Sequence, residues 1–489
     1  MGNAFPPQWV HEVNQAQHMW SAWHSGQIEG LEEAHRGMSQ GLFSGGLRGA
    51  LRRFWWGTPP TPGQSSGKLH VPLPGDIAEK SANLLFGSMP RIKSNHQADT
   101  DRIEEYLEDG LGNVLREGAE YAAALGGVYL RVAWDTEISD RPWLTVVKPD
   151  LAVPEFSYGR LTAVTFWRVV FDDGKTVLRH LERHEPGMIL HELWSGDQDF
   201  LGEQVSLGQS EKTALLEPEI LTGIDQLTVV YVPNIRPNRL WEDTPEAVYF
   251  GRSDYAGVEP LFDALDEAWS SLMRDLRLGK ARLLVDNTLL DNLGPGAGAL
   301  FDTDQELFVQ VDMGGAVENG QLPIKEIQPD IRVDKHLSAI EALTKQIINS
   351  CGYSPQTFGF AGDVALTATE VENREKSTLT TRDNKISYWK PAVAQIIQAM
   401  LAIDREHLET EGLEAQRPRV VFPEAITPDM EKIANTISIL RTARVISQYN
   451  AIEMANPEFE DQDILAEIAR INQEMPPVQE TPALSSSDS

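Results

Sequence analysis

Three histidines are the residues of this sequence whose spacing best suits a metal site. His180 and His184 lie on one face of a predicted strand, and His191 lies across the following turn. Imidazole nitrogens are common ligands of zinc. The neighbouring residues Glu182 and Glu185 suit an exposed polar strand equally well, and we favour that interpretation. We therefore expect no bound metal at these histidines.

A second segment resembles a phosphate-binding loop. GQSSGKL (63–69) contains the Gly-Lys pair of the motif G-x-x-x-x-G-K-[ST]. Pro62 stands where the first glycine is required, Leu69 replaces the hydroxyl residue, and no predicted strand precedes the loop. Cys351 has no histidine close to it in the sequence, so nucleophilic catalysis has no obvious centre. We expect neither nucleotide binding nor enzymatic activity, and no cofactor.

Three carboxylates, Asp302, Asp304 and Glu306, resemble the start of a calcium-binding loop. Leu307 stands where the loop needs glycine, and Met313 stands where it needs the closing glutamate. We expect an acidic, solvated strand end here and no metal site.

A polar stripe lies along one face of a predicted helix at 331–350. Lys335, Ser338, Ala342, Lys345 and Asn349 follow each other at alternating intervals of three and four residues. Such spacing places them on one side of the helix. In an acidic protein, aligned lysines favour a surface that faces a polyanion, while an ordinary solvated face remains the alternative.

A second polar helix segment spans 369–385. It contains Arg374, Lys376, Arg382 and Lys385 among many hydroxyl and amide side chains. A helix that is polar on all sides bridges solvent or lines a wet cavity. We therefore expect these cations to contact water.

The overall charge limits the possible functions. The 489 residues contain 42 Lys and Arg against 73 Asp and Glu, which gives a formal net charge of −31. A basic surface over the whole chain for gripping nucleic acid is excluded. The single cysteine excludes an intrachain disulfide and favours a reducing compartment. The longest apolar stretches, 121–130 and 392–403, are shorter than the roughly 20 residues of a membrane span, so we expect no membrane partner.

The elements that position these residues change along the chain. Residues 127–257 contain alternating apolar and polar runs separated by turn residues, which predict antiparallel strands and hairpins. Helices are predicted at 259–280 and 331–350, with short strands between them. A long helix follows from 368, and Pro391 inside its pattern predicts a kink. The fold class is α+β.

Each helix of the predicted pair has one apolar seam, so the two helices should pack on each other. The seam residues are Phe262, Leu265, Trp269, Leu272 and Leu276 in the first helix and Val333, Leu337, Ile340, Leu343 and Ile347 in the second.

The first 57 residues contain five of the twelve tryptophans. They predict an arm with short helices that packs onto something else, and we favour a local aromatic mini-core as the reason for the tryptophans.

Four segments in this order resemble the portal proteins of tailed double-stranded DNA bacteriophages, of the type found in siphoviruses. They are KLHVPLPGDIAEKSANLLFGSMPRI, LRHLERHEPGMILHELW, SPQTFGF followed by TATEVENREKSTLTTRDNKISYWKPAV, and RVISQYNAIEMANPEFEDQDILAEIARINQE. The resemblance covers residues 68–474.

The resemblance implies a portal-type ring subunit with an α/β wing, a two-helix stem, a small α/β clip and a helical crown. The expected parts are an N-terminal arm (1–57), the wing (58–257), stem helices (258–280 and 331–350), the clip (281–330), a tunnel-loop region (351–367), a long kinked helix with a return to the wing (368–426), the crown (427–474) and a disordered tail (475–489).

The resemblance also implies a function. Portal proteins form a ring, a dodecamer in the virion, at one capsid vertex, through which double-stranded DNA is packaged and ejected. The implied partners are the terminase motor, head–tail adaptors, and major capsid and scaffolding proteins, with assembly in the host cytoplasm. The alternatives are another capsid or head-joining protein and, from a different class, a nucleic-acid-processing enzyme.

Two sets of residues follow as site predictions. The residues expected to face DNA in the channel are Lys335, Ser338, Lys345, Asn349, Arg374 and Lys376. Residues 281–330 carry nine carboxylates against two basic residues. The clip carboxylates expected to dock basic partner surfaces are Asp302, Asp304, Glu306 and Glu318.

Overall fold

A computed structural model gives the fold of most of the chain. It describes residues 4–38, 68–279, 282–286, 308–311, 324–327, 332–360, 368–424, 430–456, 459 and 461–474.

Helices make up the larger part of the described residues. They are α1 (Gln8–Ser25), α2 (Ile28–Met38), α3 (Leu73–Phe86), α4 (Gln97–Glu108), α5 (Leu111–Leu125), α6 (Glu259–Leu278), α7 (Val333–Ser350), α8 (Ala368–His407), α9 (Met430–Thr442), α10 (Gln448–Ala455) and α11 (Asp461–Glu474).

The strands lie mainly between α5 and α6. They are β1 (Arg91–Lys93), β2 (Gly127–Ala133), β3 (Trp143–Val147), β4 (Ala152–Ser157), β5 (Arg160–Asp172), β6 (Val177–Glu185), β7 (Met188–Gly196), β8 (Glu203–Val205), β9 (Glu219–Leu221), β10 (Val229–Pro233), β11 (Arg282–Asp286), β12 (Phe308–Val311), β13 (Ile324–Ile327) and β14 (Arg419–Val421). The α+β class is confirmed.

The predicted hairpins form one antiparallel sheet in the order β4-β5-β6-β7-β8, with β9 also paired to β7. Gly174 turns β5 into β6, and Gly187 turns β6 into β7. Both glycines have positive φ, 81° and 88°, a conformation that other residues rarely adopt. The two turns therefore help to fix the register of β5 with β6 and of β6 with β7.

A second antiparallel sheet, in the order β10-β2-β3, packs on the first. The ring of Tyr129 on β2 meets Phe166 on β5 edge to face, with 5.5 Å between ring centroids. Both residues are buried in one apolar cluster.

The second half of α8 forms the centre of the largest core. Trp389, Val393, Ile396 and Met400 are all buried, and their spacing places them on one face of the helix. The helix continues through Pro391 over 40 residues, about 60 Å at 1.5 Å per residue. The long predicted helix is thus confirmed, while the kink stays a prediction.

The described tryptophans of the N-terminal arm, Trp9, Trp20 and Trp23, do not form a separate mini-core. Trp20 is buried against Trp241, and its Nε1 donates a hydrogen bond to Glu259 of α6 at 3.0 Å. Trp23 is fully buried against Phe262. The arm helices α1 and α2 therefore share one core with the strand region and α6.

The described residues between α6 and α7 in sequence form three short strands. β12 pairs with β11 in parallel, and β13 pairs with β11 antiparallel. The strands β12 and β13 were predicted, whereas β11 was not.

The chain divides into two compact units. The first comprises 1–363 and 374–423, and the second comprises 364–373 and 424–489. In the second unit, α10 packs against both α9 and α11.

Candidate functional site

The predicted helix pair forms. In α6, Phe262, Leu265 and Leu272 are buried, and in α7, Ile340 and Ile347 are buried. The two helices pack on each other. Their seams are therefore largely where the sequence placed them.

The apolar residues of α6 and α7 are less well covered at the end of the helix pair that borders residues 281–330. Leu276 of α6 is 40% exposed and Leu337 of α7 is 44% exposed, although both were predicted to be covered. A polar contact joins the helices here, because His336 Nε2 lies 3.0 Å from Asp275 Oδ2. Within the described residues, packing is tight only in the part of the pair near the strand region.

The polar stripe of α7 is at the surface of the chain. Lys335, Ser338 and Asn349 are exposed, and the Lys345 side chain is 45% exposed. Lys345 Nζ donates to Glu341 Oε1 at 2.6 Å, one helical turn away. The exposed face is thus less basic than the lysines alone suggested.

The remaining predicted site residues divide into two groups. Lys376 is exposed on α8. The side chain of Arg374 and the residues Asp302, Asp304, Glu306 and Glu318 lie outside the described residues.

The polar half of α8 is buried on one side, which corrects the expectation for two of its cations. Arg382 is 6% exposed, and its guanidinium donates to the backbone carbonyls of Leu84 and Pro423 at 2.7 and 2.6 Å. Lys385 is 1% exposed. These polar side chains are buried because the surrounding structure supplies hydrogen-bond partners for them.

Lys385 is the centre of a buried ionic network. Its ammonium donates to Asp254 Oδ2 at 2.7 Å, Ser81 Oγ at 2.7 Å and Tyr353 Oη at 2.9 Å. The Tyr353 hydroxyl donates to the same Asp254 oxygen at 2.7 Å, and Asn234 Nδ2 donates to Asp254 Oδ1 at 2.8 Å. All three donors of the ammonium are therefore satisfied.

Burial and charge act in opposite directions on this network. Burial lowers the pKa of Lys385, and the neighbouring Asp254 opposes that change. Burial, together with Asp254, raises the pKa of Tyr353 well above its ordinary value. The tyrosine therefore stays protonated and acts as a hydrogen-bond donor between the two charges.

Two threonines of α8 hold the segment that follows α7. Thr381 Oγ1 donates to the carbonyl of Gly352 at 2.6 Å, and Thr378 Oγ1 accepts from the amide of Ser354 at 2.8 Å. Together with Tyr353, these contacts fix residues 352–354 against the long helix. The segment expected to begin the tunnel loop is thus anchored to α8.

The three histidines are buried, which corrects the prediction of an exposed polar strand. His180, His184 and His191 are 3%, 0% and 9% exposed. His180 Nε2 lies 3.1 Å from His191 Nδ1, and the rings stack. Among the described residues, His, Cys, Asp and Glu side chains form no group of three that could hold a metal ion.

Glu182 links these histidines to the second sheet. Its Oε1 accepts from Arg131 Nη1 of β2 at 2.7 Å and lies 2.8 Å from His184 Nε2. Burial, followed by the charges of Arg168 and His191, lowers the pKa of His180 to about 4. Burial also lowers the pKa of His184 and His191. The histidines are therefore neutral near pH 7.

No helix among the described residues combines the length and the hydropathy that a bilayer crossing requires.

The family model described as phage portal protein, SPP1 Gp6-like, matches residues 62–476. No curated protein matches the chain.

Proposed function

The chain belongs to the SPP1 Gp6-like family of phage portal proteins, and from this we propose that it forms the ring at one capsid vertex through which double-stranded DNA is packaged and ejected. The family is one of structural phage proteins and not of enzymes. Membership implies a ring-forming capsid component that interacts with DNA and capsid proteins. Beyond this, we propose that the ring is a dodecamer, that it lies at one capsid vertex, and that DNA passes through it in both directions.

The family match over 62–476 is the observation that carries the proposal. The matched range includes the α6–α7 helix pair and the small sheet of β11, β12 and β13 between its helices. Subunits that close a ring need head-to-tail contacts between two different surfaces. A helix pair with one side open to solvent supplies such surfaces.

In the proposed ring, the exposed stripe of α7 faces the DNA. Lys335 and Lys345 are ten residues apart, so each subunit offers two basic levels about 15 Å apart along the helix. Ser338 and Asn349 on α7 and Arg374 and Lys376 on α8 are the other residues proposed to face the channel. Lys345 is paired with Glu341, and this carboxylate reduces the attraction of the lysine for phosphate. The contact between Lys345 and DNA should therefore be weak.

We assign the docking of other proteins to residues 281–330. The acidic excess of this segment favours partners with basic surfaces, since complementary charge speeds association. The proposed contacts are Asp302, Asp304, Glu306 and Glu318, and the proposed partners are the terminase and the head–tail adaptor. Major capsid and scaffolding proteins would hold the ring in the virion vertex after assembly in the host cytoplasm.

Electron microscopy and native mass spectrometry of the purified full chain test the proposal. We expect a closed ring with an axial hole and no ATP hydrolysis. Monomers or dimers under all conditions would contradict ring formation, and measurable ATP hydrolysis would favour a nucleic-acid-processing enzyme. A closed particle without an axial hole would favour another head-joining role.

A further inference from the structure

The three helices α9, α10 and α11 leave large apolar side chains in solvent. Ile439 of α9 is 67% exposed, Val445 just after α9 is 69% exposed, and Leu465 of α11 is 57% exposed. Isolated exposed apolar residues are common on protein surfaces. Here, however, three of them lie within a very small unit.

The core of this unit is small for its length. Between 430 and 474, the buried apolar residues among those described are Ala451, Ile452 and Ile464. Helical units of this size gain stability by stacking on neighbours, as repeat proteins do. The middle helix α10 packs against both α9 and α11, so the two outer helices each have a side that α10 does not cover.

The two outer helices carry opposite charge. Residues 430–445 contain three cations and one carboxylate, whereas 461–474 contain four carboxylates and one cation. Arg441 and Arg444 are exposed beside Ile439 and Val445. On α11, Glu467 lies 2.9 Å from Arg470 within the helix, and the acidic excess remains after that pair.

We propose that α9 of one subunit packs on α11 of the neighbouring subunit, with Ile439 and Val445 against Leu465. This inference rests on the proposed ring and names one of its contacts. A two-fold contact centred on α9 would pair two basic helices, and like charges repel. A head-to-tail contact pairs opposite charges and repeats around a closed ring.

The backbone conformation at the end of α9 positions Arg444 and Val445 at the proposed contact. Arg444 has φ of 56°, in the left-handed region that favours glycine. The amide of Val445 donates to the carbonyl of Leu440 at 3.0 Å, which folds Val445 back beside the last turn. The arginine thus occupies a position where glycine would fit the fold better.

Cysteine cross-linking tests the contact in the full chain. Cys351 is buried and is the sole cysteine, so new thiols are distinguishable. The variants are Ile439→Cys, Leu465→Cys and the two together. After ring assembly and mild oxidation, we expect a ladder of covalent oligomers from the double variant, covalent dimers from mixed single variants, and no covalent product from either single variant alone.

The outcomes separate the two proposals. A wild-type chain that forms no rings would overturn the proposed function and this contact with it. Rings of the double variant without covalent products would overturn the contact alone. Self-cross-linking of Ile439→Cys would show α9 packed on α9 and would also overturn it.

Two substitutions add a measurement that does not depend on cysteine chemistry. Ile439→Glu should raise the subunit concentration needed for half-assembly by about tenfold, while Ile138→Glu, a control at a side chain 72% exposed in the strand region, should not change it. Arg444→Gly suits the local backbone, yet it should raise that concentration roughly threefold. Unchanged assembly of both Ile439→Glu and Arg444→Gly would overturn the contact.

Discussion

The Lys385 ammonium shows how a polar helix can be an interior element. Asp254, Ser81 and Tyr353 supply its contacts, and each lies on a different segment of the chain. The sequence shows that 369–385 is polar. It cannot show whether residues distant in the sequence supply hydrogen-bond partners for these polar side chains. These partners are 304, 131 and 32 positions away in the sequence, so helical or strand periodicity cannot identify them.

Replacing Lys385 with methionine should destabilise the protein strongly. The change leaves the Asp254 carboxylate buried without its cation, and breaking a buried ion pair costs about 3 kcal/mol. Urea denaturation would measure the loss in free energy of unfolding. The double variant Lys385→Met with Asp254→Asn should lose less than the sum of the single variants.

Lys390→Met is the matched control for this prediction. Lys390 is exposed on the same helix, so its replacement should change the free energy of unfolding by less than about 0.5 kcal/mol. Equal losses for Lys385→Met and Lys390→Met would show that the buried network does not stabilise the fold.

The histidines of β6 and β7 should make stability depend on pH. His180 is neutral in the folded protein because its pKa is lowered to about 4, whereas the unfolded chain binds a proton near pH 6.5. Below pH 6.5 the unfolded state therefore gains protons that the folded state does not. The stability should fall as pH decreases from 6.5 to 4 and change little from this cause above 6.5.

The expected loss between pH 7.5 and pH 5 is about 2 kcal/mol for His180. The urea midpoint at the two pH values measures it. His180→Gln should reduce this pH dependence, whereas His11→Gln, at an exposed position on α1, should not. A wild-type midpoint that is the same at both pH values would contradict the prediction.

At the scale of elements, alternation and helical spacing predicted most of the strands and long helices. These patterns gave the wrong burial where an element is covered on both faces. In β6, the face that carries His180 and His184 was expected to be exposed. Both faces are buried, because β2 covers the histidine face and the N-terminal Phe5 contacts Trp167 on the other.

The same limit applies to the N-terminal arm. Its tryptophans predicted aromatic packing, but Trp20 and Glu259 are 239 positions apart in the sequence. Nothing in the spacing of the arm residues identifies α6 as their partner. The short strand pair β1 and β14 was missed for a related reason, since three residues are too few to show a period.

The α7 stripe predicts a functional effect without a loss of stability. Lys335 is exposed, and Lys345 makes one exposed pair with Glu341, which is worth about 0.5 kcal/mol at most. Replacing both lysines with alanine should therefore change the free energy of unfolding by about 0.5 kcal/mol or less. Rings should assemble normally, and DNA packaging or retention should change.

Lys175→Ala, at an exposed turn of the strand region, is the control for this double variant. Packaging assays with both proteins would show whether the effect belongs to the α7 stripe. If Lys335→Ala with Lys345→Ala packages and retains DNA like the wild type, α7 does not face the DNA, and the solvated-face interpretation holds.

At the scale of the whole molecule, the net charge of −31 fits a conduit better than a DNA-binding protein. Acidic walls repel phosphate, so a duplex can move past them without being captured. A few lysines at defined levels can still guide the duplex. Guidance without capture therefore requires few basic groups on the proposed channel face. Acidic regions away from the channel are then free to contact other proteins.

The acidic segment 281–330 should serve partner docking through charge. Replacement of four carboxylates by their amides should leave ring assembly intact and slow association with the terminase and adaptor, because charge complementarity acts mainly on the association rate. The difference from wild type should shrink as salt rises, since screening weakens these attractions. The substituted residues are Asp302, Asp304, Glu306 and Glu318.

A control variant separates local charge from total charge. It neutralises four exposed carboxylates elsewhere in the first unit and changes the net charge by the same amount; these are Glu104, Glu108, Glu137 and Glu217. Surface plasmon resonance at low and high salt measures both association rates. If the control slows association as much as the clip variant does, only the total charge matters, and if neither variant slows it at low salt, the partners dock by other contacts.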